Sequence, residues 1–520
     1  LAKIDITEGR SNWSVDERMG SFEASSGRSR LALEAKWRYP VTFCRSVGAG
    51  LLFGYIEPQF VSYLDEALKI SQIMSTVEQL QKEDAEFLVG FIDEGEDQFF
   101  LARDFHCSLP LYLYFGEGNL VLGNQFSSVV NFLSESPELN EPILAAVLAG
   151  LPIASSQTIF SGLHILTEGA VVTADASRLT IDQRLPTDNH MSAATTFAEL
   201  LEKAVTDRLR RVAQFVRVGV ELSGGLDSST VAGIVAAHCR QLPTFTVQFP
   251  GSMGKSQARK ISALASQFSL KPNLVSLGGS SPLTARRGLS GRRRYYRSDI
   301  YEAVLTKLAK KATVQVGVLM TGIGGDELFQ VDRGEQDNFH SASYLRLCRE
   351  RQWPAFFSSR FHRALDLFLT DKSTTPVAVL PHSVVRSHFS TNNIFIANGV
   401  WPISPLANRP LLRLTRTLPV GLRRKKQVLI DYVKERGYPS EIIDSSNENF
   451  RDIFWTAYTK TGRNLIEGSI NNSSLAKAGW LSKRLLLAAY RRSRLGDRSI
   501  NPAQIYGIAT TDLLLGTWRR

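Results

Sequence analysis

Two glycine-rich stretches hold the residues best suited to chemistry. The first, Val218-Gly-Val-Glu-Leu-Ser223-Gly224-Gly225-Leu226-Asp227-Ser228-Ser229, sits where a predicted strand hands over to a predicted helix. Successive glycines let the backbone come close to an anion, serine hydroxyls donate to it, and a helix N-terminus presents oriented N–H groups. That is the composition of a phosphate cradle. The Walker pattern GxxxxGK[ST] is absent, and Asp227 inside the turn is placed to hold Mg²⁺ against the phosphates. The second stretch, Leu319-Met320-Thr321-Gly322-Ile323-Gly324-Gly325-Asp326-Glu327-Leu328-Phe329, again follows a predicted strand. Ligands of an open α/β sheet collect outside the carboxyl ends of its strands, so Asp227 and Asp326 are expected to face one crevice. Two carboxylates around a triphosphate suit one or two Mg²⁺ ions. GxGGD alone is a weak signal; beside the first stretch it is a strong one.

The elements that must position these loops follow from apolar periodicity. Strands are predicted over Val216 to Leu222, Thr244 to Phe249, Asn273 to Leu277 and Val316 to Met320. They alternate with helices over Ser228 to Arg240, Gln257 to Phe268 and Tyr301 to Lys311, and a mostly helical region follows. This alternation is that of a parallel sheet with crossover helices. From Tyr39 to Val130, short apolar runs broken by acidic or Gly-rich turns predict antiparallel strands, with helices over Phe60 to Ile73 and Pro142 to Leu151. The polar break RLPTDNHMS, Arg184 to Ser192, followed by a helical pattern from Ala193 to Phe215, places a domain boundary near residue 190.

Composition agrees with two units. The chain has 520 residues, 43% hydrophobic and 21% charged, enough apolar material for at least two cores and too much for global disorder. Residues 1–190 hold 13 Lys/Arg against 26 Asp/Glu, and residues 191–520 hold 48 against 24. A basic half suits nucleic acid, a polyanionic nucleotide, an acidic peptide or simply the acidic half. The N-terminus lacks the apolar segment of a secretory signal, and Pro142 to Ala154 falls short of the ~20 residues of a membrane span, so a cytoplasmic protein is expected. Cys44, Cys107, Cys239 and Cys348 show no CxxC pair and the eight histidines no HxxxH pair, which argues against zinc and against a disulfide framework.

SGGLDSS followed by TGIGGDELF resembles the PP-loop ATP pyrophosphatase domain of the asparagine synthetase superfamily. In the first half, Leu101-Ala102-Arg103-Asp104 leading to Pro110-Leu111-Tyr112 is similar to the class-II glutamine amidotransferase fold. Weaker matches fall at Pro405-Leu406-Ala407-Asn408 and around Lys426-Gln427-Val428-Leu429. The resemblance implies a mixed α/β and α+β protein. Residues 1–190 would form a degenerate, antiparallel amidotransferase-like domain. Residues 191–520 would form a PP-loop α/β synthetase domain with a parallel sheet and a helical C-terminal region. It further implies ATP cleavage between the α- and β-phosphates, with a carboxylate becoming an acyl-adenylate that an amine converts to an amide. Ser223, Gly224, Gly225, Ser228 and Ser229 would then hold pyrophosphate, Asp227 and Asp326 would bind Mg²⁺, and Leu222, Val247, Thr321 and Gly322 would hold adenosine.

Three departures narrow the branch. A working glutaminase of this class uses an N-terminal Cys, whereas this sequence begins Leu1-Ala2-Lys3 and reaches its first Cys at Cys44, so glutamine is not the expected ammonia source. Ile323 stands where asparagine synthetases carry Glu. The family's phosphate-contacting Lys is replaced near Ser446-Asn447-Glu448, leaving Lys425, Lys426 or an Arg to serve, with Lys426 the candidate. A silent amidotransferase beside a live synthetase resembles the β-lactam synthetases and the lasso-peptide cyclases. The divergent GxGGD loop, the missing Glu and the short C-terminal region favour the cyclases. That branch implies a core peptide as substrate, a leader peptidase and a leader-binding protein as partners, and neither membrane nor nucleic acid. An asparagine-synthetase-like ligase and a PP-loop tRNA-modifying protein are the rival readings. The Arg286, Arg287, Arg292, Arg293, Arg294 and Arg297 run could close over ATP or be a solvated loop. Tyr295, Tyr301 and Glu302 are candidates for a proton-accepting dyad, and Arg491, Arg492, Arg494 and Arg498 read as surface.

Overall fold

The structure is a computed structural model that describes the chain apart from residues 1, 6–13, 19–20, 26–29, 35–36, 48–49, 65–69, 94–95, 117–118, 134, 136, 152, 176, 185–195, 278–300, 330–347, 349, 371–379, 444–450 and 519–520. The expected boundary near residue 190, the Arg286 to Arg297 run with Tyr295, and Ser446 to Glu448 lie outside the described residues.

Two antiparallel sheets build the first half. One runs in the order β11 (Leu163–Ile165), β9 (Tyr112–Gly116), β10 (Asn119–Gly123), β1 (Ala2–Asp5), β4 (Arg30–Glu34), β3 (Ser21–Ser25), β2 (Ser14–Arg18). The other runs β13 (Leu179–Gln183), β12 (Ala170–Ala174), β8 (Gln98–Arg103), β7 (Phe87–Asp93), β6 (Gly50–Ile56), β5 (Val41–Val47). The runs GLLFGYI and FLVGFID are almost continuously apolar because both faces of the second sheet are covered. Leu51, Phe53 and Tyr55 share a core with Tyr112, Leu120 and Leu122 of the first sheet. Leu52 and Ile56, on the opposite face, pack with Ile73, Val77 and Leu80 of α1 (Ile70–Lys82). The helix expected over Phe60 to Ile73 is instead a 3₁₀ turn, Pro58–Leu64, with α1 beginning at Ile70. Helix α2 (Phe126–Asn131) follows β10, and α3 (Glu141–Ala149) matches expectation. Asn140 caps α3 by accepting the Ile143 N–H at 3.3 Å, and Gly150, at φ 71°, ends it. Strands β1 to β4 lie before the region where alternation predicted them.

The second half carries one parallel sheet in the order β16 (Lys271–Ser276), β15 (Pro243–Gln248), β14 (Val218–Glu221), β17 (Val318–Met320), β18 (Trp401–Ile403). The four predicted strands are present, and β18 is an addition that a three-residue run within a helical region does not announce. The crossovers are α5 (Leu226–Ala236), α6 (Gly251–Phe268) and α7 (Glu302–Thr313), preceded by α4 (Phe197–Ala213). Thr196 and Glu199 form a reciprocal capping box at the start of α4, with N···O distances of 3.2 and 2.8 Å. The chain steps outward from β14 to β16, then returns to β17 on the other side of β14. The order of strand addition therefore reverses between β14 and β17, all strands remaining parallel, and this is where a crevice opens. Val220 is in register with Met320, so the two glycine-rich loops leave the sheet side by side.

The opposite charges of the two halves meet at their junction. Arg208 of α4, 4% exposed, lies 3.2 Å from Glu57 Oε1 and 3.2 Å from Asp84 Oδ2, and Arg211 lies 3.4 Å from Glu57 Oε2. Trp401 of β18 donates its indole N–H to Glu86 Oε2 at 2.5 Å. Burial pushes the Glu86 carboxyl up to about 8, with Arg208 pulling it back. Arg208→Ala strands Glu57 in the interior without its partner and is expected to destabilise the protein by about 3 kcal/mol, read from chemical denaturation. Glu86 binds its proton more tightly folded than unfolded, so its contribution to stability is complete below about 4.5 and is lost as pH rises to about 8. Glu86→Gln should flatten the stability profile across that window in thermal melts; an unchanged slope would refute the assignment.

Candidate active site

The first loop is a turn that hydrogen-bonds to itself. Leu222 leaves β14 fully buried, its N–H donating to the Phe245 carbonyl at 2.9 Å and its carbonyl accepting Thr246 Oγ1 at 2.5 Å. Gly224 takes φ 84° and Gly225 is the N-cap of α5. The Ser223 N–H donates to Ser228 Oγ at 3.1 Å, the two hydroxyl oxygens are 2.9 Å apart, and the Gly225 N–H donates to Ser223 Oγ at 3.1 Å. Gln257 of α6, 1% exposed, donates to the carbonyls of Ser223 at 2.9 Å and Val247 at 3.0 Å, and accepts the Phe249 N–H at 3.3 Å. This glutamine clamps the loop to β15, and nothing in its sequence context sets it apart.

The second loop touches the first, which explains its glycines. A Cβ on Gly322 would lie 2.8 Å from the Ser228 nitrogen, one on Gly325 2.3 Å from Asp227 Cγ, and one on Gly324 2.6 Å from the Ala407 nitrogen. Gly324, at φ 100°, caps α8 (Gly325–Leu328). The Pro405-Leu406-Ala407-Asn408 segment is thus the floor beneath this loop, and Asn408 caps the next helix by accepting the Leu411 N–H at 3.3 Å.

Lys426 joins the loops. Its Nζ lies 2.5 Å from Asp227 Oδ2 and 2.6 Å from Asp326 Oδ1. Lys425 and Lys426 both have left-handed backbones, φ 54° and 60°, just before the helix Gln427–Glu435, and this kink turns the Lys426 side chain into the cleft. Burial raises the Asp227 carboxyl and Lys426 only partly offsets it. Burial would lower the Lys426 ammonium, but Asp227 and Asp326 hold it above the usual lysine range.

A cleft of about 270 Å³ is lined by Ser223, Gly225, Asp227, Ser228, Gly322 and Asp326 of the expected residues, together with Glu221, Ile323, Gly324, Glu327 and Ser387. Leu222, Ser229 and Thr321 are fully buried beside it, and Val247 lies at the carboxyl end of β15. Tyr301 packs edge-on against Phe249, 6.4 Å between centroids, and Glu302 opens α7. Asp227 Oδ1 is buried without a hydrogen-bond partner in the structure, beside an exposed Asp326 carboxylate. An unsatisfied carboxylate oxygen, hydroxyls and a glycine-walled helix start fit a hydrated cation and phosphates. Arg103 and Asp104, the residues of the amidotransferase-like match, are buried. Arg103 donates to the carbonyls of Leu166 and Leu109, and Asp104 accepts the Cys107 and Phe87 N–H groups.

A Ser/Gly anion loop and an acidic loop, side by side at the switch point of a parallel sheet, define an ATP-dependent ligase of the PP-loop kind. The asparagine synthase family model matches residues 196–519, and the chain belongs to that family. No curated protein matches the chain. Among solved structures, 49 chains match; one is the U34-tRNA thiolase NcsA from Methanococcus maripaludis with its [4Fe-4S] cluster, at 11% identity and TM-score 0.22, covering 49% of this chain and 82% of that one. Gly325→Ala forces Asp227 away from Lys426, and a displacement of that size is expected to lower nucleotide turnover about 10²-fold with little loss of stability, measured as ATP consumption beside a thermal melt.

Proposed function

We propose that the chain is a macrolactam synthetase of the lasso-peptide cyclase type, acting in the cytoplasm on a core peptide delivered with a leader peptidase and a leader-binding protein. In this reading residues 1–190 are a degenerate amidotransferase domain and residues 191–520 the synthetase. A side-chain carboxylate of Asp or Glu in the peptide attacks the α-phosphorus of ATP, the α–β phosphoanhydride bond breaks, and pyrophosphate leaves. The peptide's N-terminal amine then attacks the acyl carbon, loses a proton, and expels AMP, closing an amide ring.

The residues divide this work by position. Ser223, Gly224, Gly225, Ser228 and Ser229, at the start of α5, receive the pyrophosphate. Leu222, Val247, Thr321 and Gly322 surround the adenosine. Asp227 and Asp326 are the residues that would hold Mg²⁺, which supplies charge neutralisation when bound. The Lys426 ammonium, placed between both loops, opposes the negative charge that develops at phosphorus.

The observation that supports ring closure over use of free ammonia is the cleft wall. Ile323 lines it, where ammonia-using members of the family carry Glu, and an isoleucine moves no proton. The thiols of the antiparallel half add support: burial pushes Cys44 and Cys107 up to about 12, so neither is an activated nucleophile. Among the described residues no helix is long and apolar enough to cross a membrane.

The test is turnover of ATP and Mg²⁺ with a precursor peptide from the same genomic neighbourhood and its processing partner, followed by mass spectrometry. AMP together with peptide lacking one water is expected, and Asp227→Ala should abolish both. AMP formed only with a small amino acid would move the assignment to a β-lactam or asparagine-type ligase, and AMP formed only with tRNA would move it to nucleic-acid modification.

A further inference from the structure

The chain Asn393–Ala397 and the helix His382–Ser387 are joined by a π-helical turn, His388–Asn392. Such widened turns are rare and concentrate at functional sites. Ser387, at its start, lines the nucleotide cleft. His388 is 1% exposed, and its Nε2 lies 3.2 Å from Ser404 Oγ. Ser404 Oγ in turn lies 3.0 Å from Thr321 Oγ1, and the Ile323 N–H donates to that same Thr321 oxygen at 3.4 Å. A continuous side-chain path therefore runs from the imidazole to the backbone of the second loop.

The far side of the turn is anchored in the antiparallel half. Asn392, also 1% exposed, donates to the Ser108 carbonyl at 2.9 Å, and the buried His388 imidazole lies near Arg103 and His106 of that half. Ser404 itself follows β18, whose Trp401 is fastened to Glu86. Burial, with Arg103 nearby, pushes the His388 imidazole down to about 3, so the ring is neutral at working pH. A neutral ring bonds to a hydroxyl in either tautomer, since the hydroxyl can donate or accept.

We propose that His388 is a positioning residue for the nucleotide cleft, holding Thr321 and the Gly322 to Glu327 loop in place through Ser404 while Asn392 fixes the turn to the antiparallel half. The loop lies against the first loop on one side and against Ala407 on another, and the Ser404 hydroxyl holds the Thr321 side chain at the point where the loop leaves β17. This assigns the antiparallel half a use that does not depend on any chemistry of its own.

The test uses the full chain and compares His388→Gln, whose amide reaches about as far as Nε2, with His388→Asn, whose amide does not, and with Ser404→Ala, which cuts the path without touching the histidine. Hydrogen exchange at the Ile323 and Leu328 amides is expected to quicken about tenfold in His388→Asn and Ser404→Ala, to stay near wild type in His388→Gln, and to be unchanged in α4. The kinetic counterpart, which rests on the proposed ATP chemistry, is a KM for ATP raised about tenfold with kcat nearly kept in the same two variants. Unchanged loop exchange in Ser404→Ala, or a uniform rise across the protein in all three, overturns the proposal. A wild-type chain that never consumes ATP overturns the functional reading instead, because the exchange result is obtained without nucleotide.

Discussion

Two carboxylates on neighbouring loops, one of them deeply buried, repel each other unless a cation stands between them, and the cleft depends on Lys426 meeting that requirement. Its ammonium contacts both Asp227 and Asp326. Holding it there takes two consecutive left-handed residues, a conformation that costs on the order of 1–3 kcal/mol at each non-glycine position. The surroundings sustain it. Leu429, Tyr432 and Val433 bury one face of the following helix, and Tyr432 Oη donates to Glu202 Oε1 of α4 at 3.0 Å. Tyr438 reaches the Thr230 carbonyl of α5 at 3.2 Å, an approach that Gly233 permits, since a Cβ there would lie 2.0 Å from the tyrosine oxygen. The same helix that begins at the phosphate loop thus helps to fix the lysine that faces it.

Strand order decides where this chemistry can occur. Because β15 and β17 flank β14, the order of strands reverses beside it, and the loops after β14 and β17 leave the sheet side by side and together line the cleft. The glycines of the second loop do not loosen it so much as let it lie against the first. The edge strand β18, which a short apolar run supplies, pairs with β17 and is bound through Trp401 and Glu86 to the antiparallel half. The ion pairs of Arg208 and Arg211 complete the junction, so the charge imbalance of the two halves is partly spent on each other.

Membership of the asparagine synthase family and the cleft's composition agree on an ATP-dependent ligase, and Ile323 puts an apolar side chain in the cleft wall.

The phosphate loop, the acidic loop, the four strands before them and the antiparallel character of the first half were legible in the sequence, because glycine spacing, hydroxyls and apolar alternation are local properties of a chain. Lys426 was readable only as the candidate among Lys425, Lys426 or an Arg; its place between two carboxylates follows from helix packing at a distance of some two hundred positions from Asp227, which periodicity does not encode. Gln257, His388 and Ser404 carried no signal at all, since a buried polar residue is recognised by its partners, and those come from other elements. Strands β1 and β18 were hidden for a related reason: they pair with β10 and β17, remote in the chain, and a strand's stability lies in its neighbours, whereas β2 to β4 pair locally but SVDER and SFEAS carry too few apolar residues to show a period. Local chemistry was therefore determined by the sequence, whereas which residues share the cleft, and which hold it open, was decided by the order of strands in the sheet and the packing of the two halves.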